Sequence, residues 1–171
     1  MSRAPTGRFA PPDRPIRRGW TPAISVMLGS ALAAMLPVVM TAPLLPPLGL
    51  MTLLGWRLLR PELLRVWAPV PLGLFDDLVS GAPLGSAMLL WTLGFFAVDM
   101  IDRRLLWRDF REDWLAGWAI TVAISLAAAW LAWRGPAHLP WGPLGVQALA
   151  ALCVMPLALR GVLRLDNWRQ S

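Results

Sequence analysis

The sequence predicts an all-α integral membrane protein: a bundle of six transmembrane helices with its N and C termini in the cytoplasm. Three observations carry this. Of 171 residues, 57% are hydrophobic and only 15% are charged, with 11 Trp, a balance outside that of soluble domains. Six apolar runs are separated by turn-forming or charged segments. The sixteen basic residues, all Arg, gather in alternate connections: five in the N-terminal tail, three after the second run, four after the fourth and three at the C-terminus, against one, Arg134, elsewhere. Short cytoplasmic loops are the ones that collect Arg, so an alternation with every span orients the whole bundle.

Residues 1–22 contain Arg3, Arg8, Arg14, Arg17 and Arg18 among prolines, too polar to pack, and read as a disordered basic cytoplasmic tail. Residues 23–42 carry no charge over 20 positions, enough to cross the ~30 Å hydrocarbon core at about 1.5 Å per residue. This run is too long for the core of a cleavable signal peptide. Residues 44–59 form a shorter span entered through Pro46 and Pro47, which suit a first helical turn, and closed by Arg57, Arg60, Pro61, Glu62 and Arg65. Residues 66–80 form the third span, and Gly81-Ala82-Pro83 a tight uncharged turn. A re-entrant arrangement of these two short runs would place Arg57 to Arg65 against the charge rule. Residues 84–101, 114–133 and 141–159 complete the set, and 161–171 form a cytoplasmic C-terminal tail. Between the fourth and fifth spans, acids from Asp102 to Asp113 alternate with Arg, as in a solvated helix or loop with local ion pairs. Trp20, Trp67, Trp107, Trp114, Trp133, Trp141 and Trp168 fall near span ends, where interfacial anchors sit.

One stretch stands out within this apolar background. Residues 73–85 read Gly-Leu-Phe-Asp-Asp-Leu-Val-Ser-Gly-Ala-Pro-Leu-Gly and place two carboxylates in a span. An ionised side chain inside a bilayer costs at least ~3 kcal/mol, which usually marks a function. On a helix Gly73, Asp77 and Gly81 fall at i, i+4 and i+8 with Ser80 alongside, a stripe of small residues that admits a close neighbour. Asp76 turns roughly 100° away, so the two acids should do different work. Gly73, Asp76, Asp77, Ser80, Gly81 and Gly85 are therefore the candidate partner-binding or helix-packing residues, with Asp77→Leu expected to weaken partner binding more than Asp76→Leu.

No catalytic site is expected. Adjacent helical acids diverge rather than share a substrate, and the spans place Asp99 on the cytoplasmic side, away from the outer Gly81 turn and Asp77. His138 has no Cys or carboxylate beside it, Cys153 has no partner for a disulfide, and no metal or cofactor is expected. No phosphate loop or Ser nucleophile motif occurs. Nucleic acid is not an expected partner despite a pI near 11.5, because the Arg residues form no continuous face. The abundance of Ala, Gly, Pro and Arg, with no Tyr, fits a GC-rich bacterial coding sequence.

The basic tail, the six short spans, the second span ending in Trp56 and Arg60-Pro61-Glu62, and the 73–85 stretch together resemble the MreD family of rod shape-determining membrane proteins. The family pattern is a Gly, three residues, an Asp, Leu, an aliphatic and a small residue, then Gly and a second Gly after a short turn. Gly73, Asp77, Gly81 and Gly85 match it; Asp76 stands where the family is more often apolar. The resemblance implies a non-enzymatic scaffold of the elongasome in the bacterial inner membrane. It would bind the bitopic protein MreC and link it to the MreB filament, to RodA and to a class B penicillin-binding protein. It also implies a fold like the substrate-binding subunit of energy-coupling-factor vitamin transporters, which makes such a transport subunit the alternative function.

Overall fold

A computed structural model describes residues 20–35, 45–104, 110–132 and 141–170. Among the described residues six α-helices follow one another: α1 Thr21–Met35, α2 Leu48–Leu59, α3 Pro69–Ser80, α4 Ser86–Arg104, α5 Phe110–Ala132 and α6 Trp141–Gln170. Each lies on one of the six apolar runs. Residues 36–42 of the first run, the middle of the Asp102 to Asp113 segment, and Trp107, Trp133, Arg134 and His138 lie outside the described residues. Helices α5 and α6 are long and apolar enough to cross a membrane.

One of the two shortest helices, α2, sits at the centre. In α2, Gly49, Leu50, Met51, Leu53, Leu54, Gly55 and Trp56 are all buried, so it has no outward face over two turns. It packs on α1, α4, α5 and α6, while α3 packs along α4 and touches α1. Glycines set the closest of these approaches. A Cβ on Gly49 would lie 2.0 Å from Ser30 Oγ of α1, and one on Gly55 3.2 Å from Val162 Cγ2 of α6. The outer helices expose apolar side chains instead, among them Leu28, Leu78, Trp130, Leu149 and Leu157, each more than 60% accessible. The buried polar residues among those described are Ser30, Asp77, Thr121 and Asp166. This distribution suits a chain solvated by lipid, where a helix surrounded by protein and one facing hydrocarbon have equally apolar sequences.

Helix α6 differs from the apolar run that predicts it. The run ends at residue 159, but the helix continues through Gln170, because Val162 and Asp166 remain buried on the face that carries Met155 and Leu159. Its interior Pro156 has no N–H to offer the carbonyl of Leu152 one turn earlier. The Trp114 indole of α5 donates to that carbonyl at 3.1 Å, and the Trp118 indole donates to Ala148 O at 2.9 Å. Trp114, expected as an interfacial anchor, thus holds α5 to α6; Trp20, Trp67, Trp141 and Trp168 are each more than 60% exposed.

Candidate functional site

The 73–85 stretch folds into the hairpin of α3 and α4. Helix α3 begins at Pro69, where a missing N–H costs nothing, and ends at Gly81 with φ 69°, a left-handed C-cap that a residue with a side chain adopts only under strain. A second positive φ, 92° at Gly85, turns the chain into α4. Gly73 lies against the start of α4 so closely that a Cβ would meet Met88 N and Cα at 2.7 Å. The spacing of Gly73 and Asp77 therefore puts both on the side of α3 that faces α4.

Asp77 is 1% exposed and its carboxylate is filled by that neighbour. Oδ2 accepts from Gly85 N–H at 2.8 Å, and Oδ1 from Ser86 Oγ–H and Ala87 N–H at 2.9 Å each, with Met88 N at a longer 3.5 Å from Oδ2. The first N–H groups of a helix have no partner within it and carry the positive end of the helix dipole. A carboxylate reaching across from the preceding helix satisfies several of them and has its own charge compensated. Asp77 is thus the N-cap of α4, supplied from eight residues upstream.

The other candidates lie elsewhere. Asp76 is half-buried, makes none of the bonds that Asp77 makes to the α4 N-terminus, and lines a cavity of about 680 Å³ between α2, the hairpin, α5 and α6. Ser80 and Gly81 are exposed at the end of α3, and Gly85 is partly covered. The hairpin brings Gly73, Asp77 and Gly85 into one contact and leaves Asp76, Ser80 and Gly81 outside it.

A second set of buried charges, which the spacing of the sequence did not indicate as a unit, lies toward the other end of α4. Arg57 in the last turn of α2 pairs with Asp99 of α4, and its guanidinium stacks 4.8 Å from the centre of the Phe95 ring. Beside it, Asp166 of α6, 2% exposed, accepts from Arg60 Nε at 2.8 Å and from Arg169 Nε and Nη2 at 3.2 and 2.9 Å. The signal that could have found Asp166 is its place in the 155, 159, 162, 166 and 169 series, one face of a helix. Asp99 lies 13 residues into α4, roughly 20 Å along the axis from its first turn, so Asp77 and Asp99 do not converge. Among the described residues no cluster of His, Cys, Asp or Glu could hold a metal, and Cys153 is exposed.

Residues 16–133 match the family model of the rod shape-determining protein MreD, a region that includes the whole α3–α4 hairpin and the Arg57 and Asp99 pair. No curated protein and no solved structure matches the chain. With well over half its length matched, and with the glycines and the aspartate of the hairpin explained by one helix contact, the chain belongs to the MreD family of rod shape-determining membrane proteins.

Proposed function

We propose that this protein is a non-enzymatic scaffold of the elongasome in the bacterial inner membrane, spanning it six times with both termini cytoplasmic, in a bundle resembling the substrate-binding subunit of energy-coupling-factor transporters. It binds MreC, and through it couples the MreB cytoskeleton to peptidoglycan synthesis by RodA and its class B penicillin-binding protein. The observation that carries the reading is the family match over residues 16–133, since that family acts in rod-shape determination. The alternation of Arg between connections supports the topology. The hairpin is the partner-binding element: Gly73, Asp77 and Gly85 hold it together from within, while Ser80, Gly81 and the exposed Leu74 and Leu78 of α3 offer the face a partner helix meets.

Co-purification from native membranes, with bound proteins and small molecules identified by mass spectrometry, tests this. Wild-type protein should retain MreC, and Leu78→Trp, which enlarges an exposed side chain without touching the Asp77 contact, should lose most of it at unchanged protein level. Failure of the wild type to retain MreC would refute the scaffold reading. Recovery of a vitamin-like molecule with an ATPase module would instead assign the protein to the transporters.

A further inference from the structure

We propose that the cavity beside Asp76 is a binding site for an amphiphile headed by a primary ammonium group. The proposal does not rest on MreC binding. The cavity holds about 680 Å³, within the ~300–1,000 Å³ of ligand sites. Among the described residues its walls are mostly apolar, with Leu50, Leu90, Trp91 and Ile124 among them, while Asp76 contributes the one carboxylate.

That carboxylate is poorly provided for. Burial strips it of water, and its polar neighbours include the Ser30 hydroxyl and Asp77, itself an acid. The three ion pairs shown between described side chains engage Asp99 and Asp166, not Asp76. Ser30 is 3% exposed, lies close against Gly49, and its Oγ makes no hydrogen bond of ordinary geometry. A carboxylate with little hydrogen-bonding support therefore lines a large, mostly apolar space, with the Ser30 hydroxyl behind it. A carboxylate has about four lone-pair sites, and left without donors in apolar surroundings it is costly. An ammonium brings three N–H donors and the cancelling charge, and an aliphatic chain matches the remaining walls. Asp77, one residue on, has its donors in the backbone of α4 and needs no ligand. The same chemistry could reach the site as the headgroup of phosphatidylethanolamine or as a free long-chain amine.

Native mass spectrometry of the full chain released from phosphatidylglycerol nanodiscs tests the site, with dodecylamine, dodecanol and dioleoylphosphatidylethanolamine as probes. Wild-type protein should take up one dodecylamine or one phosphatidylethanolamine saturably, about tenfold more tightly than dodecanol or phosphatidylglycerol, as a charge-assisted contact gives. Asp76→Asn should bring the ammonium probes down to the level of dodecanol. Ala128→Phe, which fills the cavity from α5 and leaves Asp76 in place, should remove the adduct as well. Preference for phosphatidylethanolamine identifies the lipid headgroup as the source, and preference for dodecylamine a free amine; either supports the site. Equal uptake of all probes by the wild type, or an ammonium adduct that survives both substitutions, would overturn it. Should Asp76→Asn not fold, the headgroup comparison in the wild type and Ala128→Phe decide.

Discussion

At the first turn of α4, the buried Asp77 accepts from backbone N–H groups and the Ser86 hydroxyl 8 to 11 residues on; farther along the same helix, Asp99 meets a charge from α2, and Asp166 of α6 meets Arg60 across 106 positions of sequence. Both regions take acids out of water, and each cancels the cost by a different means. At the hairpin the compensation is local, and the residues that provide it, a Gly for close approach and two Gly for positive φ, fall at fixed spacings. At the charged end the compensation comes from side chains on separate helices, and no short motif records it. The contrast also separates the two kinds of work: the first region closes one helical hairpin, the second ties the central helix α2 to α4 and α6.

The largest effect is expected at Asp77. Asp77→Leu removes the charge and leaves the part-buried Gly85 N–H and the buried Ala87 N–H without acceptors, a loss of about 3 kcal/mol. Thermal unfolding in detergent should show a large fall in Tm, with Asp77→Asn, which keeps one acceptor oxygen, losing much less. Next comes Asp166→Leu, at ~2–3 kcal/mol, because Arg60 is 41% exposed and can turn to water while Arg169 cannot do so as freely. If Asp166→Leu proves more damaging than Asp77→Leu, the hairpin is the weaker of the two closures. The smallest of the three is Gly73→Ala, at ~1–2 kcal/mol, from a methyl group forced against the Met88 backbone. Gly142→Ala, where a Cβ meets nothing within 4 Å, is the control and should shift Tm little.

What the sequence shows and hides follows the same division. Among the described residues each apolar run carries a helix, because an apolar stretch has few polar side chains to compete for its backbone hydrogen bonds. The i, i+4 relation of Gly73 and Asp77, and the divergence of Asp76, follow from helical geometry alone. That α2 is the central helix does not, since a lipid-facing run and a protein-enclosed run read alike; only its Gly49 and Gly55 hint at it. The extension of α6 is masked by Arg160, Arg164 and Arg169, which resemble a solvated tail until the buried 155 to 169 face is traced. The Trp114 bond to Leu152 O is legible only by asking what Pro156 leaves without a donor. The carboxylate of Asp77 as a cap rather than a helix-to-helix contact requires the turn at residues 81–85, whose geometry depends on two positive φ angles.

The most direct test of the hairpin account is amide hydrogen exchange over residues 85–88 in wild-type protein, Asp77→Leu and Asp166→Leu. Exchange at these positions should be slow in the wild type, at least about tenfold faster in Asp77→Leu, and unchanged in Asp166→Leu. Protection at 85–88 that persists in Asp77→Leu, or that falls equally in both variants, would contradict the assignment of Asp77 as the cap that closes α3 onto α4.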